Sequence, residues 1–265
     1  MRKPEIDYRT FRLSKLNDPQ FAHLKLLGGW IGYFIMYFLT ENLIPAESCH
    51  VVHCWIDDLI PFCEWFLIPY VFWYFLIVFT LLYLMLYHVE GFKRFQIFII
   101  VTQVVAMAIY IIYPNRQDMR PEVFPRENFL TACIGLLYRQ DTPTGVCPSL
   151  HVAYSMGIAS AWLKEKNVSK WFKAFIIVAV VFICLATMFI KQHSAVDFFV
   201  ALPVCLLAEE IACFRSWSWT MTETPADFCR RCWKRTATRC SPPKTERMLW
   251  RSWTRSTSIL WCWTS

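Results

Sequence analysis

The chain predicts an all-α fold, a polytopic membrane bundle of about six transmembrane helices, and three observations predict it. Of its 265 residues, 56% are hydrophobic and 17% aromatic, with a mean hydropathy of +0.35, which is too apolar for an ordinary soluble domain of this length. Apolar runs recur along the first 213 residues at close to the length that crosses a bilayer. Two short histidine-bearing strings, 147–151 and 191–197, open two of those runs.

A hydrocarbon core of roughly 30 Å takes about 20 apolar residues in a helix. The runs that meet or approach this length are residues 26–43, 65–87, 95–113, 149–163, 171–190 and 195–213. The first follows a polar, basic segment, residues 1–25, that is longer and more charged than the opening of a cleavable leader. Pro69, early in the second run, fits a helix start or bend and needs no chemical role. The fourth run is the shortest and carries Ser149, His151 and Ser155, so hydropathy alone reads it as a buried or interfacial helix. After Phe214 the aliphatic residues give way to Trp, Arg, Cys, Thr and Ser without a sustained period. The expectation for residues 214–265 is a disordered or interfacial tail without a catalytic part, and its abrupt change of character is also what a shifted reading frame produces. Cys229, Cys232, Cys240 and Cys262 do not make a zinc ribbon.

Lys and Arg in short loops mark the cytoplasmic side. The N-terminal segment has Arg2, Lys3, Arg9, Arg12, Lys15 and Lys25; the second connection has Lys93 and Arg94; the fourth has Lys164, Lys166, Lys170 and Lys173. The first connection has neither residue, which puts it outside and the N-terminus inside. Arg116, Arg120, Arg126 and Arg139 in the third connection, and Lys191 in the fifth, break this pattern, and an anion to bind is one reason for cations on that face. The same count sets both histidine strings, and with them the active site, at the extracytoplasmic face, where two helix N-termini offer free N–H groups to an anion.

His193 and Asp197 are four residues apart and share one helix face, so the carboxylate can hold one ring nitrogen protonated and leave the other as a nucleophile or base. His151, from another helix, can protonate a leaving oxygen. Ser149, Arg120 and Lys191 can bind non-bridging oxygens, with Arg116 as a further candidate. An ionisable group inside a bilayer is a functional hypothesis by default.

These residues resemble the type 2 phosphatidic acid phosphatase superfamily, whose pattern is Lys, six residues, Arg-Pro; then Pro-Ser-x-His; then Ser-Arg, five residues, His, three residues, Asp. Arg120-Pro121 matches the end of the first block, Pro148-Ser149-Leu150-His151 the second, and His193 with Asp197 the end of the third. The resemblance implies that His193 forms a phosphohistidine, that Asp197 orients it, and that His151 releases the alcohol, with no metal and no cofactor. Tyr113 stands where the family has its first lysine, and Ala186-Thr187 stand where it has Ser-Arg, so two phosphate-binding cations are replaced. Leu150 together with Lys191-Gln192-His193 looks more like the inositol-phosphorylceramide-synthase-like branch.

The implied partners are a lipid phosphate or phosphodiester and the bilayer, with no nucleic acid. The implied activity is a phosphatase if water is the acceptor, or a phosphotransferase if a hydroxyl is. The alternative is a non-enzymatic polytopic lipid-binding or carrier protein on the same fold. A bacterial plasma membrane is the default location, with an endomembrane as the alternative. In the first connection Cys49, His50, His53, Cys54, Asp57, Asp58, Cys63 and Glu64 are of metal-ligating types at no closed-site spacing, so no metal is expected. A disulfide among its three cysteines fits an oxidising face, and its carboxylates are candidates to neutralise the site's cations.

Overall fold

The computed structural model describes residues 3–220; residues 221–265, on which most of the expected disordered or interfacial tail falls, lie outside them. Eight α-helices occur among the described residues: α1 Gly28–Leu43, α2 Trp55–Leu59, α3 Leu67–Tyr87, α4 Val89–Ile112, α5 Phe129–Gln140, α6 Leu150–Lys164, α7 Lys170–Phe189 and α8 Ala195–Thr220. Six of them fall on the six apolar runs. Four segments are long and apolar enough to cross a membrane: Ala22–Leu43, Glu64–Tyr87, Val89–Ile112 and Lys170–Phe189. Helix α6, with 15 residues, reaches only about 22 Å at 1.5 Å per residue. Helix α8 has the length and carries Asp197, Glu209 and Glu210.

Two connections differ from the sequence reading. The second shrinks to His88, whose backbone (φ −157°, ψ 75°) breaks the helix between α3 and α4, so Lys93 and Arg94 lie in the early turns of α4. Glu5 closes this break, because its carboxylate accepts from the Val89 N–H at 2.8 Å and its own N–H donates to the Leu86 carbonyl at 2.8 Å. The third connection holds α5, started by a reciprocal cap between Asn128 and Thr131.

The core forms where α4, α6 and α7 meet, around Ile99, Ile158, Ile176 and Ile183. Gly157 lets α6 approach α4, since a Cβ built there would lie 2.6 Å from the Phe98 ring. Helix α1 buries none of its residues and is tied to α4 by Trp30 Nε1, which donates to Gln96 Oε1 at 3.2 Å. A parallel strand pair, β1 His50–Val51 and β2 Asn115–Arg116, links the first and third connections in the register His50 to Asn115 and Val51 to Arg116. That pair gathers these loops at the end of the bundle where α6 begins.

Candidate active site

The turn between α7 and α8 builds the site. Lys191 adopts φ +54°, the left-handed conformation that ends many helices, and the Thr187 carbonyl accepts from the N–H groups of Gln192 (2.9 Å) and His193 (3.0 Å). Ser194 then caps α8: its Oγ accepts from the Val196 N–H at 3.1 Å, while the Asp197 carboxylate accepts from the Ser194 N–H at 2.9 Å. The same Asp197 Oδ2 is 3.0 Å from His193 Nδ1. With Asp197 ionised, Nδ1 carries the proton and the Nε2 lone pair of His193 faces outward from the pair.

That Nε2 stands 3.4 Å from Nδ1 of His151, in the first turn of α6, with the two ring centroids 5.5 Å apart. Tyr70 and Trp73 of α3 hold the His151 ring at centroid distances of 4.9 and 4.4 Å. Nε2 of His151 is buried without a hydrogen-bond partner. The first turns of α6 and α8 are joined directly, since the Ser149 N–H donates to the Asp197 carbonyl at 3.2 Å. Three groups expected from sequence to act together, Asp197, His193 and His151, are therefore in one line.

The two histidines open on a cavity of about 770 Å³ whose polar end includes Asp141 and Gln192 and whose walls include Trp30, Tyr33, Tyr37 and Tyr74. It runs between α1 and α3, from Tyr37 and Tyr70 to Leu27 and Leu81, a length of about 15 Å along either helix.

None of the four expected phosphate-binding side chains lines this cavity. Ser149 is fully buried and its Oγ caps α6 by accepting from the Val152 N–H at 3.4 Å. The Lys191 ammonium donates to the carbonyls of Asp57 (2.8 Å) and Ile60 (2.5 Å); burial draws its pKa down against the pull of Asp57 and Asp58. Arg120 donates to the carbonyls of Tyr138, Asp141 and Thr142, lies over the Tyr138 ring at 4.7 Å, and reaches Gln192 Oε1 at 2.6 Å. Burial lowers its pKa, opposed chiefly by the Asp141 carboxylate 3.6 Å away. Arg116 belongs to β2, bridges by its backbone to Thr144, and has a buried Nε without a partner.

Other residues do structural work that sequence reasoning did not assign. Asp57, 3% exposed, accepts from Ser194 Oγ at 2.5 Å and from the N–H groups of Ala195 (2.7 Å) and Cys54 (2.9 Å). Burial pushes its carboxyl up, and these hydrogen bonds outweigh that and bring it below the usual range. Asn115 Oδ1 accepts from the N–H groups of Val146 (2.9 Å) and Cys147 (2.8 Å) and fixes the approach to α6. Burial, and then the neighbouring Asp197 carboxylate, push the Cys147 thiol up to about 12, so it stays protonated. A local signal existed only for the cap, since Ser194-Ala195-Val196-Asp197 is a Ser-x-x-Asp capping sequence.

In the first connection Cys49, Cys54 and Cys63 are free thiols, so the disulfide considered from sequence is not formed. Glu64 pairs with Arg126 at 3.3 Å and accepts from Asn128 at 3.1 Å, which ties this connection to the start of α5. Among the described residues no group of three or more His, Cys, Asp or Glu side chains is arranged to hold a metal. Compared with known proteins, the chain matches no family model, no curated protein and no solved structure.

Proposed function

We propose that this chain is an integral membrane lipid phosphatase or phosphotransferase that works through a phosphohistidine. In this reading α6 and α8 cross with the four apolar segments, the N-terminus is cytoplasmic, and the site faces the extracytoplasmic side of a bacterial plasma membrane. The reading rests on one observation above all: the Asp197–His193–His151 line at the wall of a lipid-sized cavity. The three motif blocks that resemble the type 2 phosphatidic acid phosphatase superfamily support it.

Substrate enters along the cavity and its phosphate parts the two imidazoles. His193 Nε2 attacks phosphorus, the bond to the lipid or headgroup oxygen breaks, and protonated His151 gives that oxygen its proton. Water, or the hydroxyl of a second lipid, then attacks the phosphohistidine while neutral His151 takes its proton; the N–P bond breaks and His193 is restored. Asp197 keeps the proton on Nδ1 throughout, so the nucleophilic nitrogen always points the same way. Nucleophile, orienter and acid are all side chains, and the cycle uses no cofactor.

Full-length protein in detergent, given phosphatidic acid with and without an alcohol acceptor, tests this. The expected result is phosphate release or transfer that is lost in His193→Ala. A cavity lined by neither Lys nor Arg also suits a lipid-binding protein without chemistry. Lipid retained on the purified protein, with turnover absent in wild type, is the result that favours that second reading.

A further inference from the structure

The proposed reaction needs a group to receive the phosphoryl oxygens. Arg120, Ser149 and Lys191 are turned to other partners, and Arg116, whose buried Nε has no partner, does not line the cavity. Gln192 does. It lines the cavity next to His193, is 3% exposed, and its Oε1 accepts from Arg120 Nη2 at 2.6 Å. A guanidinium has donors and no acceptor, so this contact fixes which end of the carboxamide is oxygen. The other end, Nε2, is buried without a hydrogen-bond partner. An orphaned buried donor keeps an uncompensated desolvation penalty, and at a cavity wall beside the nucleophile a bound anion removes that penalty.

We infer that the Gln192 carboxamide, aimed by Arg120, is the oxyanion donor of this site, and that the site takes a phosphodiester monoanion in preference to a phosphomonoester dianion. The inference rests on the proposed function. Its second half follows from charge. Neither Lys nor Arg lines the cavity; Asp141 does, held by Tyr37 OH at 3.3 Å and by Arg120 at 3.6 Å, and burial raises its pKa against the pull of Arg120, so the lining itself offers an anion no cation. The cation that the reaction itself places in the cavity is protonated His151, which balances one negative charge and leaves a second uncompensated in a low-dielectric space. Arg120 is a positioning residue here: it acts on the oxyanion through the carboxamide that it polarises and orients.

The test uses full-length protein in detergent and two lipids with identical chains, phosphatidylmethanol and phosphatidic acid, which differ by one methyl group and one charge. The expected result is a kcat/KM for the diester at least about tenfold higher. Gln192→Ala lowers kcat on the diester about 100-fold with a smaller change in KM, and near-isosteric Gln192→Glu, whose thermal midpoint reports folding, loses at least as much. Arg120→Lys lowers kcat in the wild-type background and adds little on top of Gln192→Ala, which a purely structural role does not give. Phosphatidic acid turned over faster than the diester, or Gln192→Ala and Gln192→Glu within about threefold of wild type, overturns the inference while leaving the enzyme reading intact. Turnover of neither lipid by wild type overturns the enzyme reading itself.

Discussion

Helices α3 and α7 differ in kind from α6 and α8, although all four stand in the same bundle. The first pair is apolar over most of its length, in α7 beyond Lys170 and Lys173, and much of that surface faces outward, including Phe75, Val78, Val178 and Val181. The second pair opens on polar groups that have partners inside the protein: Ser149 caps α6, and Asp197 serves the Ser194 N–H and His193 Nδ1 with a single oxygen. The atoms that make α8 start are therefore atoms that orient the His193 ring. The difference teaches that the helices with the weakest claim to span a membrane carry the candidate site, because polar groups in the first turn lower hydropathy and are also what builds that site.

Changing Asp197 to Asn attacks both roles at once and has the largest expected effect. The carboxamide no longer holds the His193 tautomer, and kcat falls about 10⁴-fold, as for the orienting carboxylate of a hydrolytic triad. The shared cap weakens with it, which lowers thermal stability by about 1 kcal/mol in the same preparation.

Asp57 tests whether the start of α8 depends on the first connection. Asp57→Asn costs up to about 3 kcal/mol, since the Ser194 hydroxyl and the Ala195 N–H lose a charged acceptor. Its folded pKa lies below the ordinary carboxylate value. Its contribution is thus fully present above the ordinary value and is lost as pH falls through the folded one. Unfolding midpoints measured down through the acidic range drop for wild type by this contribution, and Asp57→Asn lacks that part of the drop.

Gly157→Ala probes the other side of α6. Its new methyl meets Phe98 at 2.6 and 2.7 Å, and overpacking of that kind costs about 1–3 kcal/mol. Val181→Leu on the exposed face of α7 is the control from the apolar pair, expected within about 0.5 kcal/mol of wild type. A large loss there, read as a shift in midpoint, removes the contrast between the two sets of helices.

Much of the fold was legible because apolar length is a local property: all six runs are helices, with ends displaced by a few residues. Helix α5 was not legible, since its 12 residues lie in a connection read only for its charges. The His193–Asp197 pair was legible as an i, i+4 spacing, and the meeting with His151 as two motif blocks on one face. The cations were read from location alone. Lys191 and Arg120 proved to hold backbone carbonyls 131 and 21 positions away, and Asp57 reaches Ser194 across 137. No window of sequence displays such pairings, because they exist only after the loops meet. Gln192 stands in the sequence beside His193, and the Arg120 contact that fixes its carboxamide oxygen, 72 positions away, exists only in the fold.

Rapid quenching of the full-length protein with lipid carrying labelled phosphorus decides most directly whether His193 is a nucleophile. The expected result is label bound to protein through an acid-labile, base-stable linkage in wild type, more of it in His151→Ala if release of the intermediate is slowed more than its formation, and none in His193→Ala. Turnover of the same lipid with no labelled protein at any quench time, or equal labelling in His193→Ala, contradicts a phosphohistidine at this site.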